Sequence, residues 1–197
     1  SHDLRTPLTR MKLQISLMKD QKAKSELEVD INEMTSMLDS YVSFVKTESP
    51  EPIETIIINE LIGEIIKTVE KNGIELTIKE KNTIQTSGRQ IQLKRAFNNI
   101  IDNSKRYAKQ IEIILYTNEK DCVIEFNDDG EGIPRDKYED VFKPFFTLDP
   151  SRNKLKGESG LGLTITRDII RSHGGDVKLS ESNLGGLQLI VLLPLWF

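Results

Sequence analysis

Through Glu48 the chain has no glycine and a single proline, Pro7, whereas all twelve glycines come later. That absence excludes a turn-rich N-terminal domain and predicts a helical piece ahead of a turn-rich one. Cysteine is nearly missing too: Cys122 alone excludes an intrachain disulfide and a cysteine zinc cluster, and fits a reducing compartment. No apolar run is long enough to span a bilayer. The most apolar stretch, Leu187–Phe197, is interrupted by Gln188 and Pro194 and falls short of the ~20 residues a spanning helix needs, so it reads as a core strand. Charge of one sign is also lacking. With 27 basic and 31 acidic residues the net charge is −4, which excludes a scaffold that attracts nucleic acid or anionic membrane. There is no initiator methionine, and Ser1 falls inside the first expected helix, so the chain is expected to be a fragment lacking upstream sequence.

What is present begins with a heptad. Leu4, Leu8, Met11, Ile15 and Met18 recur at alternating spacings of four and three, a coiled-coil seam. On this phase His2 faces water, Thr6 shares its azimuth one turn on, and Asp3 lies beside them. Pro7 denies the Asp3 carbonyl a partner and is expected to kink the helix there. An imidazole beside a carboxylate suits covalent catalysis, although an isolated His-Asp pair is far more often an ordinary surface histidine. The polar run Lys19–Ser25 reads as a connection. A second seam follows through Leu27, Ile31, Met34, Leu38, Tyr41 and Val45. A helical hairpin cannot bury both seams alone, so two copies are expected to pair into a four-helix bundle, a homodimer.

Ser49-Pro50-Glu51-Pro52 breaks the helix. The expected organisation is a helical hairpin over residues 1–48, a linker over 49–52 and a second domain over 53–197. In the second domain Ile53–Ile58 reads as a strand, Asn59 as the cap of a helix through Val69, and Gly73 as its stop. Strands are expected near 74–78, 84, 111–116, 122–127, 176–179 and 187–193, and helices from Gln90 and from about Leu161 to Ser172. The fold class is therefore α+β: the helical bundle followed by a largely antiparallel sheet with helices on one face, an α/β sandwich.

Candidate chemistry clusters in this second domain. Asn99 and Asn103 share one helix face, and amide oxygens are hard ligands suited to Mg²⁺; an asparagine pair is also common polar surface. Arg106 can neutralise phosphate, and Tyr107 offers an aromatic face. Asp128 ends an apolar strand ahead of Gly130 and Gly132, where a carboxylate can accept the exocyclic amine of adenine, or simply begin a turn. Gly160-Leu161-Gly162 opens a helix whose free N–H groups can meet phosphate. The roughly thirty residues between these glycine clusters are too long for a casual loop and are expected to form a lid. Phe142, Phe145 and Phe146 would pin its start, and Arg152, Lys154 and Lys156 could reach phosphates. His173 is given a helix-capping role, and Trp196 a packing role.

Residues 1–10, Ser-His-Asp-Leu-Arg-Thr-Pro-Leu-Thr-Arg, resemble the H box of bacterial sensor histidine kinases. Asn99–Tyr107 resembles their N box, Asp128–Ile133 and Gly160–Leu163 their two glycine boxes, and Val141–Phe146 their F box. The resemblance spans nearly the whole chain, with the boxes in order. It implies a GHKL-type ATP-binding domain that uses ATP and Mg²⁺, with His2 taking the γ-phosphoryl group, Asp3 as base or orienting group, and Thr6 positioning water for dephosphorylation. It further implies that Asn99 assists catalysis or phosphate placement, that Asn103 coordinates Mg²⁺, and that Asp128 selects adenine. The partner it implies is a response regulator, and the location the cytoplasmic portion of a bacterial inner-membrane protein. Ser104 stands where alanine is usual, which reads as a mild change, and Glu158 where glycine is common. A GHKL-type ATPase without a phosphohistidine would leave the H box unexplained, and a silent dimerisation scaffold would leave the nucleotide boxes unexplained.

Overall fold

The computed structural model describes residues 2–18, 20–25, 27–28, 30–32, 34–35, 51–69, 74–148 and 160–195, with backbone alone for 2–7. The chain divides into two compact units, residues 1–50 with 143–161 and residues 51–142 with 162–197. None of the described helices is long and apolar enough to cross a membrane.

In the first unit, α1 (His2–Ser16) continues through Pro7 without interruption. Its seam is partly satisfied: Leu8 and Ile15 are buried with Ile31, and Met18 packs against them. Met11, Leu13, Leu17, Leu27 and Met34 remain exposed. The connection expected across Lys19–Ser25 is shorter than its polarity suggests. Asp20 accepts the N–H groups of Lys22 at 3.0 Å and Ala23 at 3.2 Å, an N-cap that restarts the helix, and every described residue from Gln21 to Thr35 is helical. Leu38, Tyr41 and Val45 lie outside the described residues.

The second unit opens with β1 (Glu54–Ile57), which runs directly into α2 (Ile58–Val69). The apolar stripe of α2 buries Leu61, Ile62, Ile65 and Ile66. Asn59 is not the cap expected of it. Its side chain accepts the Ile84 N–H at 2.8 Å and donates to Asn82 O at 3.2 Å, pinning the approach to β3 (Gln85–Gly88), which pairs antiparallel with β1.

The main sheet comprises β2 (Glu75–Glu80), β4 (Gln110–Thr117), β5 (Asp121–Asp128), β6 (Asp176–Glu181) and β7 (Leu187–Pro194), in the order β2-β4-β5-β7-β6. β2 and β4 are parallel, and the remaining pairs antiparallel. Period-two alternation sends Ile111, Ile113, Leu115, Ile124, Phe126, Leu189 and Val191 into the core. They meet Leu93, Phe97, Ile100 and Ile101 of α3 (Gln90–Tyr107) and Ile165, Ile169 and Ile170 of α4 (Gly162–Ser172). Each such side chain contributes roughly 1.5–3 kcal/mol on burial, so this face stabilises the layer arrangement. The opposite face is mixed: Lys79 pairs with Glu112 at 2.6 Å, and Tyr116 donates to Glu125 at 2.7 Å, which pushes the phenol up to about 12, while Val123 is buried.

Two contacts fix α3 and α4 by their ends. The Glu51 carboxylate accepts N–H groups of Ile91 and Gln92, capping an α3 terminus that Arg89 leaves uncapped. His173 does more than cap. Its Nδ1–H donates to Ile169 O at 2.7 Å, the expected cap, while Nε2 accepts the Arg89 N–H at 3.0 Å. Gly88 makes room for the ring, since a Cβ there would lie 2.7 Å from His173 Cδ2.

Candidate nucleotide-binding site

The site lies in the second unit, where the C-terminal half of α3, the turn after β5 and the turn between β6 and β7 come together. Asp128, the last residue of β5, shares the core-facing side of the strand with Phe126 and is only 4% exposed. A buried carboxylate needs donors. Its Oδ1 accepts the N–H groups of Gly130 at 3.0 Å and Leu187 at 2.9 Å, and its Oδ2 accepts the Ser104 hydroxyl at 3.1 Å. These bonds leave acceptor capacity on Oδ2 alone, suited to a single N–H such as an exocyclic amine.

Glycines let the backbone close around that carboxylate. A Cβ on Gly130 would lie 3.1 Å from both Asp128 Oδ1 and Tyr107 O, and one on Gly186 only 2.3 Å from Asp128 Oδ1. The Gly186 N–H in turn donates to Asp128 O at 3.1 Å. Gly132 has φ +70°, a conformation that glycine adopts without strain.

Asp129 holds the same turn to the start of β4. Its Oδ1 accepts N–H groups from Lys109 at 2.7 Å and Gln110 at 2.8 Å, and these bonds hold its carboxyl below the usual range. A group whose folded pKa is depressed stabilises the fold above its unfolded pKa, and that contribution is lost as pH falls through the folded pKa. Asp129→Asn is therefore expected to melt lower than the unaltered chain at pH 7. The gap should close as pH drops below about 4, the ordinary carboxylate range, as followed by thermal melts across pH.

Along α3, Asn99 is half-buried and donates through Nδ2 to Gly162 O at 3.3 Å, which ties the helix to the start of α4 and leaves Oδ1 for a ligand. Asn103, one turn on, is half-buried, and its side chain makes no hydrogen bond among the described residues. Arg106 and Tyr107 are exposed at the helix end. Gly162 O also accepts the buried Thr166 hydroxyl at 2.9 Å. No group of three His, Cys, Asp or Glu that could hold a metal ion occurs among the described residues. The Asn103 amide oxygen is a hard neutral donor of the kind Mg²⁺ accepts.

The phenylalanines divide. Phe142 is buried beneath Arg167, whose guanidinium lies 4.5 Å from the ring centroid and pairs with Glu139 at 2.8 Å. The Thr164 hydroxyl donates to Phe142 O at 3.0 Å. The stretch expected to be a featureless lid thus begins with two short 3₁₀ turns, Arg135–Lys137 and Asp140–Phe142. In the other unit Phe146 is half-buried, but Phe145 is 53% exposed, so its ring does not serve as the expected pin. Its backbone does the fastening: Phe145 has φ +63°, and its N–H donates to Gly160 O at 3.1 Å. Gly160 has φ +62°, and a Cβ there would lie 2.9 Å from the Phe145 backbone, which explains the glycine. Leu161 leads from it into α4. Arg152, Lys154, Lys156, Glu158 and Trp196 lie outside the described residues, as do the side chains of His2, Asp3 and Thr6.

Sequence reasoning missed Asp129 and Gly186, and for Ser104 it missed the partner, since its hydroxyl bonds the buried Asp128. For Gly186 the available signal was the adjacent pair Gly185-Gly186 immediately before a strand.

Residues 88–196 match the family described as histidine kinase-, DNA gyrase B-, and HSP90-like ATPase. The chain belongs to that family. Among its relatives, the sensor histidine kinase GtrS of Pseudomonas aeruginosa is 32% identical over 196 residues, covering 98% of this chain and 40% of the relative. The sensor histidine kinase CpxA of Escherichia coli is 32% identical over 208 residues, covering all of this chain and 46% of the relative. The chain thus spans less than half the length of these curated relatives. In solved structures, the mycobacterial sensor histidine kinase MprB superposes with a TM-score of 0.64 at 25% identity, over 73% of this chain and 97% of that one. The sandwich described above is the GHKL-type α/β ATP-binding fold.

Proposed function

We propose that this chain is the catalytic portion of an autophosphorylating sensor histidine kinase, with residues 1–48 as dimerisation and phosphotransfer hairpin, 49–52 as linker and 53–197 as ATP-binding domain. The observation that supports it best is the pairing, within one chain, of the family's nucleotide fold with a separate helix that begins at His2-Asp3. Asp128 takes the adenine amine, Asn99 Oδ1 and the α4 N–H groups place the phosphates, and by the resemblance Phe146, Gly160, Leu161, Gly162, Arg106, Tyr107 and Arg152 are further nucleotide-binding residues. When bound through Asn103, Mg²⁺ supplies neutralisation of phosphate charge. Asp3 keeps the attacking imidazole nitrogen of His2 unprotonated. That nitrogen forms a bond to the γ-phosphorus as the bond to the ADP oxygen breaks, and catalysis rests on positioning and charge stabilisation.

The exposed Met11, Leu27 and Met34 support pairing of two hairpins into a homodimeric bundle. Residues 1–10 and 93–99 most resemble the EnvZ osmosensor kinase, whose partner is the transcriptional regulator OmpR; the proposed partner is accordingly an OmpR-like response regulator. Its aspartate receives the phosphoryl group from His2, and Thr6 serves the reverse, phosphatase activity. The proposed location is the cytoplasmic side of a bacterial inner membrane, reached through upstream segments. The test loads the chain with γ-labelled Mg·ATP, removes nucleotide and adds a receiver domain with its acceptor aspartate. Label is expected to pass from the chain to the receiver within minutes. Label that stays on the chain would overturn the transfer, and a chain that never acquires label would overturn the kinase.

A further inference from the structure

The Asp128 carboxylate has an unequal set of partners. Oδ1 is filled by two main-chain donors, Gly130 N–H and Leu187 N–H. Among the described residues Oδ2 has one donor, the Ser104 hydroxyl at 3.1 Å, and this one depends on a side chain. Ser104 is itself 5% exposed on the buried face of α3, with Ile100 and Ile101. Without it, Oδ2 would face the base with both acceptor directions uncommitted, and the carboxylate plane would be set from one side only.

We propose that Ser104 is a positioning residue for base recognition: its hydroxyl fixes the rotation of the Asp128 carboxylate and takes one acceptor direction of Oδ2, leaving a single direction for one N–H of a 6-amino purine. The proposal rests on the reading of Asp128 as the acceptor for the base. A purely packing role for Ser104 would affect every nucleotide alike, whereas a positioning role acts only on a base that has the amine.

The discriminating probe is purine riboside 5′-triphosphate, which keeps the ring, sugar and phosphates of ATP and lacks the exocyclic amine. Dissociation constants for both nucleotides, measured by calorimetry with Mg²⁺ on the full chain, give a ratio insensitive to modest losses of stability. For the unaltered chain ATP should bind ~10-fold or more tighter than the amine-free analogue, as expected for loss of a hydrogen bond to a charged group. Ser104→Ala should reduce that ratio ~5-fold, chiefly by weakening ATP, with the analogue unchanged. Ser104→Cys, close in volume but a weak donor, should fall between the two. If Ser104→Ala weakens both nucleotides equally, or leaves the ratio intact, the positioning role is overturned while the Asp128 reading stands. If the unaltered chain does not distinguish the two nucleotides, the Asp128 reading falls, and this role with it.

Discussion

Asp128→Asn is expected to weaken ATP binding by about two orders of magnitude and to turn the base preference towards inosine triphosphate, as lost charge-assisted bonding and a misplaced donor act together. The amide oxygen can take over the Oδ1 position, where Gly130 and Leu187 donate. The amide NH₂ is then left where Oδ2 accepts the Ser104 hydroxyl and the base amine. Two donors facing each other repel, but the carbonyl of a 6-oxo purine would accept from that NH₂. Calorimetry with the two nucleotides measures both changes, and circular dichroism checks that the variant remains folded. ATP affinity within threefold of the unaltered chain would remove Asp128 from base recognition.

Gly186→Ala should abolish measurable nucleotide binding and cost about 2–4 kcal/mol of stability, from overpacking and lost hydrogen bonds. Its added Cβ would sit 2.3 Å from Asp128 Oδ1, 2.4 Å from Gly130 N and 2.6 Å from Asp128 O. Two of those atoms are backbone, so the turn between β6 and β7 must withdraw. Withdrawal breaks the Gly186 N–H bond to Asp128 O and the Leu187 N–H bond to Asp128 Oδ1. Gly185 is the control. It has φ +99° but nothing within 4 Å of an added Cβ, so Gly185→Ala should cost only backbone strain of about 1–2 kcal/mol and spare binding. Urea denaturation and ATP titration of the pair separate steric collapse of the site from strain in the turn.

What the sequence made legible follows from periodicity. The α3 stripe of Leu93, Phe97, Ile100 and Ile101 and the alternation of Ile111, Ile113 and Leu115 are local patterns, so those elements appear where expected. Asn99, Asn103 and Asp128 stand out in the sequence because each belongs to a short run with its own chemistry, and their nucleotide roles are part of the proposal. Long-range partners were not legible. Asn59 reads as a cap from its neighbours alone, yet its amide is taken by residues 82 and 84 across the β1–β3 pairing. Asp20 was hidden inside a polar stretch that resembles a loop, and its capping role shows only once the N–H groups of Lys22 and Ala23 converge on it. Ser104 and Asp128 are 24 positions apart, and Gly186 lies 58 beyond Asp128, so nothing local signals that they meet. Phe145 misled for a different reason: an aromatic in an apolar-looking box suggests burial, but here the backbone carries the function and the ring is left out.

The most direct test of the kinase reading is autophosphorylation with γ-labelled ATP and Mg²⁺, comparing the unaltered chain with His2→Gln and scoring label that survives base and is lost in acid. The account predicts such label on the unaltered chain and none on His2→Gln, with ATP affinity the same in both. Label that persists in His2→Gln, or a folded, ATP-binding chain that hydrolyses ATP without acquiring any label, would contradict it.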